Sequence, residues 1–428
     1  MSVEFTVFEG NRSEAEGGSP GRGAALGTKA SSVTPLGRRK PGIRALRDLR
    51  RTRFARRQQS RDWLLEEARE LLDGVEDSAG ALALVAPRPA KCGWAASGVV
   101  SVHMGDGGAA RYCGVQTCAS IWACPTCSAL IRARRAEEIQ HAADWWEHEQ
   151  HGSFLFASFT VRHFLEDTLQ DSMNALTKAY TRLIRGAPWK RFAARHGIRH
   201  MIKAVEVTLS WRNGWHAHLH VLFFTDQVAS KSALAEARGW LSDRWADMVV
   251  KEGGRRPSRS RGVDLRPVQN GHVVADYISK VQEHDREPGR FKVGAEMARI
   301  DMKKGRLDSM VPFDLLDLDG LDPDEAERQR TYWLEYVETT RGRRATTWSR
   351  GLKDACGLDE VEDEEIAAEE AEETAQDDCV LMILSRDWRR VMNAPDLVAR
   401  ILDLVELGRA DDVGDFVPIL VPAPARRA

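Results

Sequence analysis

The sequence predicts an α+β fold, an antiparallel sheet with helices on one face, and three observations carry that expectation. Strand-like and helix-like stretches interleave between residues 151 and 355. Two of the strands, Met201–Trp211 and Trp215–Thr225, are joined by a stretch short enough for a hairpin. Ahead of them, five of the seven cysteines fall between Cys92 and Cys127, a density that marks a small module of its own.

The chain has 428 residues, enough for two or three domains, and 43% of them are apolar, an ordinary share for a globular protein. No stretch approaches the roughly 20 uninterrupted apolar residues that a membrane helix needs. Met1–Gly27 is rich in Gly, Ser and Glu and lacks a signal-like apolar run, so a cytoplasmic protein without membrane contact is expected. The formal net charge of −2 conceals a segregation. Gly37–Arg61 is almost purely basic and Leu358–Asp378 almost purely acidic. The first reads as an arm for a polyanion or as a solvated Arg-rich helix, and the second as a linker.

Taken in order, residues 1–60 are expected to be a disordered basic arm, too poor in apolar residues to offset chain entropy. Residues 61–150 should hold a helix at Arg61–Val75, with apolar positions three and four apart, and then the cysteine module. The main domain, 151–355, starts with a buried strand, Ser153–Phe164, bounded by Gly152. A helix follows at Leu169–Gly186, closed by its glycine. After the hairpin come a helix at Ser230–Val250, a basic loop, a short strand near "GVDLRPV" and a helix at His272–His284. Arg328–Lys353 reads as a helix with a basic turn, 356–378 as the acidic linker, and 379–428 as a small helical appendage.

The hairpin carries the chemistry. Side chains alternate along a strand, so His216, His218 and His220 share one face while Ala217, Leu219 and Val221 share the other. On the preceding strand Val205, Val207 and Leu209 are apolar, and Glu206 and Thr208 fall on the opposite face. Matching the two apolar faces requires an odd loop. Arg212–Gly214 supplies three residues with glycine in the left-handed position, placing Glu206 opposite His220 and Thr208 opposite His218. A two-residue turn would bury the Glu206 carboxylate in the core at a cost of several kcal/mol. Two imidazoles and a carboxylate suit a divalent cation with open positions, with His218, His220 and Glu206 as ligands and His216 as a spare. Histidines decorating a solvent-facing strand are the alternative.

Tyr277 and Lys280 lie three residues apart on a predicted helix and so on one face. Tyr-x-x-Lys alone is a weak pattern; its value comes from following "HLH". The arrangement resembles the HUH endonucleases, in which a His-hydrophobic-His strand binds a divalent metal and a later helix carries a nucleophilic tyrosine. "GWHAHLHVLFF", "ADYISK", "FASFTVRH", "TCASIWACPTCSALI" and "YWLEYVETTRGRRATTWSRGL" are similar to rolling-circle plasmid replication initiators of actinobacterial type, over about Cys113–Leu352.

The resemblance implies an HUH nickase domain that cuts one strand of plasmid DNA at its double-strand origin. Tyr277 would be the nucleophile, the nearby Lys280 cation its aid, and Mg²⁺ or Mn²⁺ the catalytic ion. It also implies host DNA polymerase, helicase and single-strand-binding protein as partners. One position departs from some relatives: a glutamate four residues before the tyrosine is here Val273, which leaves the terminating step without its usual group. A relaxase or single-tyrosine transposase would use the same chemistry, and a non-catalytic zinc-dependent DNA-binding regulator would use none of it.

The spacing Cys113, Cys118, Cys124, Cys127 predicts a structural Zn²⁺ site, with Cys92 as a substitute ligand. Arg132, Arg134 and Arg135 just beyond it, and Arg255 and Arg256 in the basic loop, are expected to grip DNA phosphates.

Overall fold

The computed structural model describes residues 43–72, 78–105, 108–268 and 309–420. Its centre is a six-stranded antiparallel sheet. The strands are β3 (Ser153–Thr160), β4 (Ile198–Ser210), β5 (Gly214–Thr225), β6 (Val263–Val268), β7 (Ser309–Met310) and β8 (Thr346–Trp348). They run in the order β6-β3-β5-β4-β7, with β8 also pairing β4. A second, three-stranded sheet is built from β1 (Val99–Met104), β2 (Ala110–Cys113) and β9 (Asp378–Leu384), with β1 in the middle.

Alternation explains how the large sheet is covered. Ala217, Leu219, Val221 and Phe223 of β5 join Val205, Val207 and Leu209 of β4 in one core. Helices α4 (Leu169–Leu183), α6 (Lys231–Lys251) and α7 (Pro323–Thr340) pack there. The opposite face is imidazole at 216, 218 and 220 but apolar at Leu222 and Phe224. Those two residues, with Phe154, Phe156 and Ile202, pack against Ile139, Ala142 and Ala143 of α3 (Pro125–Asp144). The expectation of helices on one face is therefore corrected: α3 covers the second face, but only at the end away from the hairpin turn. The histidines lie where that second layer stops.

The hairpin register differs from the expected one by two residues. The loop is Trp211–Asn213, Ser210 pairs with Gly214, and Glu206 faces His218, Thr208 faces His216 and Ala204 faces His220. Gly214 does adopt a left-handed φ of 74°, but as the first residue of the returning strand rather than the last of the loop. A shift of two keeps every side chain on its face, so Glu206 stays with the histidines. A β-carbon at Gly214 would meet the Phe164 carbonyl oxygen and Leu165 Cα at 3.0 Å. Gly214→Ala is thus expected to cost about 1–2 kcal/mol or more from backbone conformation alone, read as a lowered urea midpoint.

Other boundaries are corrected as well. The basic arm is helical from Ile43: α1 (Ile43–Glu70) runs through most of it. Several of its described arginines are committed to internal partners. Arg50 pairs with Asp403 and with Glu406, and Arg56 with Asp314 and Asp317. Its described part is therefore not a free polyanion arm. The acidic run forms α8 (Asp363–Gln376), whose Glu364 and Glu370 pair with Arg88 and Arg111. The C-terminal stretch is no appendage, since β9 completes the small sheet. Helices α9 (Ser385–Met392) and α10 (Pro395–Glu406) close its core around Trp388, Val398 and Ile401. Gly186 opens a further helix, α5 (Gly186–Arg195), rather than merely closing α4. Among the described residues, no helix is long and apolar enough to cross a membrane.

Candidate metal centre

Three strands position the site. Glu206 on β4 and His218 on β5 are direct cross-strand partners, and His220 is one step further along the same face. The Nε2–H groups of both His218 and His220 donate to a single oxygen, Glu206 Oε2, His220 at 2.6 Å. On the other flank, Ser158 of β3 lies opposite His220, and its hydroxyl donates to His220 Nδ1 at 3.0 Å. The Phe156 ring stacks on the His220 imidazole with centroids 5.4 Å apart. Among the described residues, His218 Nδ1 is buried without a hydrogen-bond partner.

The electrostatics follow from burial and pairing. Burial alone would push the Glu206 carboxyl up, but His218 and His220 beside it hold it well below the ordinary carboxylate range. Burial pushes His220 down, against the pull of Glu206, so its imidazole is neutral at physiological pH. An ionised carboxylate and a neutral imidazole are the forms that a divalent cation takes as ligands. Glu206, His218 and His220 each offer one ligand atom, all within 4.8 Å of one another. The donor set therefore fits a divalent cation, and the Ser158 hydroxyl can accept the Nδ1 proton when His220 Nε2 turns its lone pair to the ion.

His216 is not in this cluster; its ring stacks on His163 at 4.7 Å and neighbours His218 at 4.9 Å. His163 is a residue that sequence reasoning did not single out, and "FTVRH" carries no periodic signal that would have marked it. Beside the two rings lies a groove of about 1210 Å³ whose lining includes Arg162, His163, Thr208, His216, Arg256 and Arg261. At its rim the half-exposed Phe164 ring is flanked by Arg162 and Arg255, with guanidinium carbons 5.1 and 4.6 Å from its centre. Arg255 pairs with Asp167 and Arg256 with Asp247, both at the surface.

The arginines after the cysteines are placed otherwise than expected. Arg132 is buried and its Nε donates to Ser128 Oγ at 3.0 Å. Arg135 is tied to Glu138, Asp363 and the Val361 carbonyl. Both serve the interior, which corrects the expectation that they grip phosphates. Arg134, partly exposed, has Glu137 at 3.9 Å. The cysteine set is corrected too: the four thiols that converge are Cys92, Cys118, Cys124 and Cys127, all buried. Cys113 is drawn away because it ends β2, paired with Ser101 across the small sheet. Tyr277, Lys280 and Val273 lie outside the described residues.

Residues 110–393 match the model of the Rep_1 family, replication proteins. A Rep protein of Streptomyces lividans is 33% identical over 320 residues, covering 62% of this chain and 68% of that relative. A protein described as a neomycin resistance protein, from Streptomyces cyanogenus, is 40% identical over 139 residues, 27% of this chain and 32% of that relative. No solved structure matches the chain. With most of its sheet, its histidine strand and its cysteine loop inside the matched region, the chain belongs to the replication protein family, as a plasmid Rep protein of the actinobacterial type.

Proposed function

We propose that this replication protein initiates rolling-circle replication of a plasmid by nicking one DNA strand at the double-strand origin and transferring it to tyrosine. The observation that carries the reading is the convergence of Glu206, His218 and His220 beside a groove edged with arginines. A Mg²⁺ or Mn²⁺ ion held by these three would polarise the scissile phosphate and offset the charge that develops on it. The chain's own groups do the rest. Arg256 and Arg261 line the groove, and their surface-facing guanidinium groups suit a phosphate backbone. Phe164, held between Arg162 and Arg255, offers a face on which a base of a single strand can stack.

In this reading the Tyr277 oxygen forms a bond to phosphorus as the bond from phosphorus to the 3′ oxygen breaks. The phenol proton is lost and the departing 3′ oxygen gains one, leaving a 5′-phosphotyrosine and a free 3′-hydroxyl for a host polymerase to extend. Lys280 favours the phenolate, whose ordinary pKa near 10 makes it a poor nucleophile at neutral pH. Host helicase and single-strand-binding protein would handle the displaced strand.

The test is to incubate the protein with supercoiled plasmid carrying its own locus and Mg²⁺ or Mn²⁺, then to identify DNA-linked peptides by mass spectrometry. An adduct on Tyr277 is expected, absent from Tyr277→Phe and from reactions with chelator. Duplex binding without any adduct would overturn the reading and leave a non-catalytic DNA-binding role.

A further inference from the structure

We infer that Cys92, Cys118, Cys124 and Cys127 hold one Zn²⁺ ion that fastens the N-terminal helix and the cysteine loop to the main core. The sulfur spacing is the first argument. Cys92 and Cys127 are 3.8 Å apart, Cys118 and Cys127 3.6 Å, and Cys124 and Cys92 3.6 Å. A tetrahedral ion with zinc–sulfur bonds of about 2.3 Å puts its sulfurs about 3.8 Å from one another. All four cysteines are free of disulfides and buried.

The second argument is that the ligands come from separate segments whose backbones are locked to one another. Cys92 follows the single helical turn Arg88–Lys91, Cys118 and Cys124 sit on the loop after β2, and Cys127 is in the first turn of α3. Gly93 N–H donates to the Gln116 carbonyl at 2.8 Å, and Gln116 N–H returns to the Trp94 carbonyl at 2.7 Å. Ser60 of α1 reaches the same loop, donating to the Ala123 carbonyl at 2.9 Å. Trp63 and Leu64 of α1 share a core with the four cysteines and with the sheet.

Charge is the third. A four-thiolate zinc centre carries a net charge of about −2, costly to bury without compensation. Arg57 and Arg61 of α1 are both buried, at 8% and 2% exposure. The Arg57 guanidinium packs flat against Gly93, where a β-carbon would meet its Cζ at 3.2 Å, so the residue after Cys92 leaves it room. Ser120 N–H points at Cys118 Sγ at 3.4 Å, the kind of backbone donor that supports a thiolate ligand. Two buried cations on this helix are of the sign that offsets the charge of a thiolate cluster.

The full chain, purified without added metal, should contain about one zinc per molecule by elemental analysis. Cys113→Ser should keep it, and Cys92→Ser should lose it. Replacing zinc with Co²⁺ supplies a readout that does not depend on the Cys92 variant folding. The parent chain and Cys113→Ser should show equal thiolate-to-cobalt charge-transfer absorption and the visible bands of tetrahedral cobalt. Loss of the metal from Cys113→Ser would overturn the assignment. So would a chain that takes up neither zinc nor cobalt.

Discussion

His218→Ala is expected to reduce metal-dependent nicking of supercoiled origin plasmid by at least about 10²-fold while leaving the thermal midpoint nearly unchanged. The side chain is largely enclosed, but its neighbours are Glu206 and the His216 and His220 rings, so little apolar contact is lost, whereas the Nε2 atom directed at Glu206 disappears. Glu206→Gln should lose activity similarly, for a different reason: the amide keeps the shape but not the charge that balances the cation. Isothermal titration with Mn²⁺ separates the two effects from a general defect. Both variants should bind the ion far more weakly than the parent and still bind origin duplex. Unchanged Mn²⁺ affinity in His218→Ala would sink the metal-site reading.

Glu138→Ala carries the largest expected effect on stability. Glu138 and Lys353 are 3.2 Å apart, at 6% and 3% side-chain exposure, and Arg135 reaches the same carboxylate. Lys353 also donates to the Asp359 carbonyl and lies over the Trp348 ring, so it cannot turn to water when its partner is removed. Leaving that ammonium buried with only the exposed Glu360 carboxylate, 3.9 Å away, as counter-charge should cost about 3 kcal/mol, measured by urea denaturation. Replacing both partners, as Glu138→Leu with Lys353→Met, should recover most of the loss, because two apolar chains carry no desolvation penalty. A double variant as unstable as the single one would show that the pair does more than neutralise itself.

Local pattern in the sequence reaches a definite depth here. The alternation of Val205 to Leu209 against Glu206 and Thr208, and of His216 to His220 against Ala217 to Val221, was enough to bring a carboxylate and two imidazoles to one face. Even a register displaced by two residues left that conclusion standing, because the side-chain period is two. What local pattern missed was non-local. Arg47, Arg50 and Arg51 looked like a free basic arm because their counterpart, Asp403, lies about 350 residues away. The second layer over Leu222 and Phe224 comes from α3, whose apolar residues gave no hint of which sheet face they would meet. Cys113 sits closer in sequence to Cys118 than Cys92 does, yet strand pairing removes it from the cluster.

The small sheet has a consequence for how the chain is made. Strand β1 is flanked by β2 a few residues later and by β9 almost at the other end, with Val99 paired to Leu384. On the ribosome, β1 therefore emerges long before one of its two neighbours exists. At roughly 5–20 residues per second, its free edge waits tens of seconds for β9. Val100 and Val102, fully buried in the finished protein, are uncovered for that interval. A chain released early, before residue 378, would keep an intact histidine hairpin and an open, apolar strand edge. Such fragments should associate with one another rather than accumulate as soluble monomers.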